Sequence, residues 1–201
     1  MVVPPSLPAI HCDHGYMSEQ SKGLFRYALI AVTAVAITVA IGALALHNHN
    51  QRIWRGDALA GKVALTQSQL ENLVTDESIT AYWAGPRPGY LYSIDTTSKD
   101  RVFLQYIQAN KNSSNVVANS RVIATYFAKD GFARTVAAAT FSGNIGFRNP
   151  NGSVVFYAKN RNTDIYLAFP GKEVQIEIFD PLAGQALSLA VLQDQITKIG
   201  E

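Results

Sequence analysis

The sequence predicts an α+β fold: an N-terminal transmembrane helix followed by one extracytoplasmic domain, an antiparallel sheet with helices on one face. Three observations carry that expectation. A charge-free apolar run lies near the N-terminus, short β-branched and aromatic runs bounded by Gly, Pro, Asn or Ser follow it, and helical patterns come after sets of strands instead of alternating with them. With 201 residues, 48% of them apolar and 16% charged, the chain is long enough for one core. A formal charge of +2 creates no strong field toward nucleic acid.

The first element is the span, placed at 24–46. From Tyr27 to Leu46 the chain reads "YALIAVTAVAITVAIGALAL", 20 residues without a charge. At about 1.5 Å per residue this crosses the roughly 30 Å hydrocarbon core of a bilayer. The rival reading is a cleaved secretory signal, for which Ala43-Leu44-Ala45 offers a small-x-small site, but its apolar region is normally about 7 to 15 residues. Basic residues flank both ends, so the positive-inside count does not orient the span. The size of the C-terminal part does, and it predicts a cell-membrane protein with the N-terminus cytoplasmic and the domain outside.

Before the span, residues 1–23 read as a disordered cytoplasmic tail, with Met17 a natural start in its own right. His11, Cys12 and His14 have ligand-like spacing but no fourth donor in reach, so no metal is expected. Within the span, Ala34, Thr38 and Gly42 recur every fourth residue, a face suited to a weak homodimer. His47 and His49 fall at the membrane exit, and 47–64 reads as a membrane-proximal linker.

The domain, 65–201, opens with "TQSQLENLV", where Thr66 and Gln69 have capping-box spacing. Strands are predicted at "ITAYW", "GYLYSID", "RVFLQYI" and "RVIATYF", then a helix from Phe132 to Ala139. The polar stretch "QANKNSSNVVANS" reads as an exposed loop. The remainder repeats the order: "NPNGSVVFYAKNRNTDIYLAFP" parallels "GPRPGYLYSIDTTSKDRVFLQYI", and Phe179 falls on Phe127. A duplicated β-β-β-β-α unit and chance likeness between short hairpins both fit this pattern.

Inventory removes whole mechanisms. After His49 there is no His and no Cys, so neither a Ser-His-Asp nor a Cys-His system, nor a His/Cys metal site, nor a disulfide can form in the domain. Paired carboxylates remain. Asp180 before Pro181, and Asp130 before "GFARTVAAA", read as helix caps. Glu177 reads as a solvated strand position, and Asp76, Glu77, Asp95, Asp100 and Asp164 as turn charges. No catalytic residue and no cofactor is expected.

Together, "YWAGP", "GYLYSID...DRVFLQYI", "ATYF" and "DIYLAFPGKEVQIEIFDP" resemble an uncharacterised family of actinobacterial single-span membrane proteins, over roughly residues 66 to 199. The resemblance implies an envelope-exposed domain and brings no activity, substrate or catalytic residue.

The stretch "TAYWAGPRPGYLYSID" then becomes the place to look for contact. Gly85 to Gly89 form a rigid corner, Tyr90, Tyr92 and Ile94 share a core face, and Tyr82 and Trp83 point opposite ways, which predicts that at least one is exposed. Tyr82, Trp83, Arg87 and Tyr90 are the candidate interaction surface. The expected function is a non-catalytic interaction or scaffold module facing an envelope protein or glycan. The alternative is a carboxylate-dependent enzyme acting on envelope glycans.

Overall fold

The computed structural model describes residues 40–109, 120–182, 184–192 and 195–201. The tail, most of the expected span, Ala34, Thr38 and residues 110–119 of the polar loop lie outside them. The chain divides into two units, 1–50 and 51–201. In the first, residues 40–50 belong to helix α1 (40–59) and are exposed throughout. Among the described residues no helix is long and apolar enough to cross a membrane.

The second unit begins inside the stretch read as a linker. Ala58 is fully buried, and Trp54, Leu59 and Val63 pack against the core. The guanidinium of Arg55 reaches Asp76 and Glu77 at the end of helix α2 (Gln67–Asp76). That helix starts as the sequence predicts: Thr66 Oγ1 accepts from the Gln69 N–H, and Gln69 Oε1 accepts from the Thr66 N–H. Its apolar stripe, Leu70, Leu73 and Val74, is buried.

The strands are β1 (Tyr82–Trp83), β2 (Tyr90–Asp95), β3 (Arg101–Gln108), β4 (Val122–Phe127), β5 (Asn144–Arg148), β6 (Val154–Ala158), β7 (Arg161–Ala168), β8 (Val174–Phe179) and β9 (Thr197–Lys198). Helix α3 (Gly131–Ala139) follows β4, and α4 (Gln185–Val191) follows β8. Seven strands form one antiparallel sheet in the order β2-β3-β4-β8-β7-β6-β5. Two meanders therefore meet where β4 pairs with β8. At the outer edge of β2, Leu65 exchanges backbone hydrogen bonds with Tyr92 at 2.7 and 2.8 Å, which covers an otherwise open edge.

Strand alternation assigns the two faces. Ile94, Leu104, Ile123, Ile178 and Ile165 lie on paired positions of five strands and form the core face. That face is covered by α2, by α4 through Ala186 and Ala190, and by a separate ribbon of β1 paired with β9. Helix α3 lies on the reverse face: Gln175 donates to Thr135 Oγ1, and a Cβ on Gly146 would collide with Ala139. The expected placement of helices on one face is thereby corrected. An Ala-rich helix has apolar residues to bury on either side of a sheet, so composition does not choose the side.

The expected order β-β-β-β-α does occur twice, β1 to β4 with α3 and β5 to β8 with α4, but the two sets are not equivalent, because β1 leaves the main sheet while β5 stays in it. Matching Phe127 to Phe179 also sets Ile123 on Gln175, whose side chains face opposite sides of the sheet. A shift of one residue restores the faces and brings Gly131, the first residue of α3, onto Gly184, the N-cap of α4.

Candidate functional site

The corner after β1 is built inward. Gly85 and Gly89 have φ of +70° and +78°, which is why glycine stands at both ends of the turn. Between them the backbone is held by tyrosines: the Tyr106 hydroxyl accepts from the Ala84 N–H at 2.8 Å and donates to the Gly85 carbonyl, and the Tyr92 hydroxyl accepts from the Arg87 N–H. Burial raises the Tyr106 phenol well above its ordinary range.

Neither Tyr82 nor Trp83 is exposed; each retains 6% of its surface. The expectation that one of them faces solvent fails because β1 is a short ribbon in the core layer, covered on both sides. Tyr82 stacks on Phe169 with centroids 6.0 Å apart, and Trp83 meets the edge of Tyr92. Arg87 is exposed, its guanidinium 4.4 Å from the ring centre of half-buried Tyr90. Of the four candidates, only Arg87 and Tyr90 offer a surface.

Asp180 and Glu177 depart from the cap and solvated-strand roles expected of them, and Asp130 departs in part. Asp180 is buried: its carboxylate takes the Arg121 Nε at 2.8 Å and the Leu182 N–H, with side-chain exposures of 5% for Asp180 and 10% for Arg121. The helix after it starts four residues later than expected, at Gln185 with Gly184 as N-cap, so Asp180 caps a turn and neutralises a buried cation. Asp130 does occupy the N-cap position of α3, but it makes no side-chain cap bond and lies 3.8 Å from Arg134. Glu177, expected in solvent, is half-buried, with Oε2 accepting from Tyr126 at 2.6 Å and Oε1 from Tyr166 at 2.9 Å. Burial, then Glu177, raises both phenols, Tyr166 to about 12.

These tyrosines belong to a second surface. On the reverse face, one rung runs Asp95, Phe103, Ala124, Glu177, Tyr166, Phe156, Gly146 through successive register pairs. Helix α3 covers the β5–β8 side of this face, through Gly146 and Gln175, and not the β2–β3–β4 side. Phe156 and Tyr166 stack at 4.8 Å, Phe103 meets Tyr126 edge-on, and all four rings are half-buried.

At the β2 end a groove of about 290 Å³ opens between the Ala60-Gly61 wall and a floor of Ser93, Asp95, Phe103, Gln105 and Val122. Among the described residues the Gln105 amide nitrogen has no hydrogen-bond partner. This site was missed because "RVFLQYI" reads as a half-buried strand, whose polar positions ordinarily meet water. An aromatic ring between Arg101 and Gln105 on that outer face was the available signal. Among the described residues no group of acids, His or Cys could hold a metal ion. No protein-family model, curated protein or solved structure matches the chain.

Proposed function

We propose that this is a single-pass membrane protein whose outer domain acts by binding an envelope component, not by catalysis. The observation that carries the binding reading is the state of the acids. Asp180 is consumed by Arg121 and both oxygens of Glu177 by tyrosines, while Asp95 and Glu177 stand three strands apart, roughly 14 Å at the usual inter-strand spacing. A glycosidase pair needs about 5 to 9.5 Å. Asp164, a rung away from Glu177 on the neighbouring strand, falls within that range, but it is held by Arg161 at 3.1 Å and by the Thr163 hydroxyl, so neither carboxylate is left free for the carboxylate-enzyme alternative.

Membrane attachment is supported by Ile41, Leu44 and Leu46, which are 63%, 62% and 66% exposed on a helix that continues the charge-free run. Apolar side chains left in solvent along a helix are what a bilayer accepts. The orientation, with the N-terminus cytoplasmic, and the actinobacterial resemblance belong to the same proposal.

The test is cross-linking on intact membranes, followed by carbonate washing and capture of the chain. Retention in the pellet with a reproducible cross-linked component supports the proposal. A chain released by carbonate overturns the anchor, and hydrolysis of an envelope glycan by the purified chain overturns the binding reading.

A further inference from the structure

We infer that the groove between the Ala60-Gly61 wall and strands β2 to β4 binds a neutral saccharide ring. This rests on the binding reading above and names its ligand class.

The floor consists of two rungs on adjacent strands: Ser93, Gln105 and Val122 on one, Asp95 and Phe103 on the next. Each group has a distinct capacity. One oxygen of Asp95 is occupied by the Thr97 N–H and hydroxyl, leaving the other free among the described residues to accept. Ser93 donates to the Gly61 carbonyl, which ties the wall to the floor and leaves its oxygen an acceptor. The Gln105 amide nitrogen is shut off from solvent and meets no acceptor among the described residues. Turning that amide toward a ligand oxygen relieves the unmet donor. Phe103 supplies a flat apolar plane, kept in place by the edge of Tyr126 and by Arg101 at 5.5 Å.

A pyranose ring matches this set on every count. Its hydroxyls donate to Asp95 and accept from Gln105, and its C–H face lies against an aromatic ring. A volume of about 290 Å³ stands at the lower end of ligand-sized pockets, room for a ring and not for a folded partner. Charge does not ask for an ionic ligand: among the described residues the lining carries one carboxylate, Asp95, and the Arg101 guanidinium flanks the Phe103 ring, so the two signs offset each other.

The experiment titrates the full chain in detergent micelles with maltotetraose, cellotetraose and chitotetraose by calorimetry, with tetramethylammonium as a cationic probe. Saturable binding of one of the oligosaccharides is expected, weakened about tenfold or more by Gln105→Ala and by Asp95→Ala at unchanged melting temperature, and only partly by Asp95→Asn. Absence of saccharide binding, binding indifferent to Gln105 and Asp95, or tetramethylammonium binding in its place overturns the inference. Cross-linked capture of an envelope component at wild-type yield by the Gln105→Ala chain, with no saccharide bound, overturns the groove and leaves the binding reading standing.

Discussion

The aromatic corner and the reverse sheet face use the same residue type to different ends. In the corner, Tyr106 and Tyr92 spend their hydroxyls on main-chain groups of the turn, and the surrounding rings close over them. On the reverse sheet face, Tyr126 and Tyr166 spend theirs on the Glu177 carboxylate, and both are only partly buried. A phenol bonded to backbone fixes a shape, whereas a phenol bonded to a side chain fixes a surface. Aromatic density in a sequence does not distinguish the two; the partner of the hydroxyl does.

The sharpest way to break the comparison lies between the regions, where Arg121 holds Asp180 while its guanidinium lies 5.5 Å from the Tyr106 ring. Asp180→Ala leaves a buried cation unpaired and is expected to cost about 3 to 5 kcal/mol in denaturant unfolding. A helix cap would cost roughly 0.5 to 2 kcal/mol, so a value in that lower range restores the capping assignment. Next in size, Tyr106→Phe strands the Ala84 N–H inside the corner and should cost about 1 to 3 kcal/mol. Tyr126→Phe, on the half-exposed face, should cost about 1 kcal/mol or less, since water replaces the lost bond. Equal losses from the two phenylalanine variants would erase the distinction between corner and face.

Alkali tests both regions at once. Tyr106, Tyr126 and Tyr166 all have folded pKa values raised above the ordinary tyrosine value near 10, so the folded chain holds protons that the unfolded chain gives up. Their stabilisation is complete below pH 10 and is lost as pH rises from 10 toward 12 and above. The melting temperature should fall over that window, and Tyr106→Phe should flatten the fall. The smallest effect belongs to the exposed tip: Arg87→Ala should change stability by no more than about 0.5 kcal/mol. Gly89→Ala, two residues on, should cost roughly 1 to 2 kcal/mol because its φ is +78°.

The contrast also marks how far the sequence could be read. Thr66 and Gln69 announced their capping box, and the Gly-Pro corner announced its turn, because both signals are complete within a few residues. The strands β1 to β4 and β6 to β8 were legible for the same reason, from β-branched and aromatic runs between turn residues. Burial of Tyr82 and Trp83 was not, because it depends on the pairing of β1 with β9, more than a hundred residues later. Asp180 was misread as a helix cap since Asp-Pro before a helical pattern is a strong local signal, and only the arrival of Arg121, the residue before β4, overrides it. Glu177 follows the same logic: one solvated-looking position between two isoleucines becomes a bonded one when Tyr126 and Tyr166 flank it on neighbouring strands.

The junction of β4 with β8 has a consequence for how the chain finds this structure. Within each meander, neighbouring strands are joined locally, by two to five residues everywhere except the longer 109–121 segment between β3 and β4, and can pair early at little cost in loop closure. The central pair joins residues about fifty positions apart, across α3 and three intervening strands. Its closure carries the largest loop cost within the main sheet, and until it happens each half presents an unpaired strand to solvent. Two fragments cut between α3 and β5 should therefore reassemble along this seam when mixed, and a peptide spanning β8 should compete for it during refolding and not afterwards.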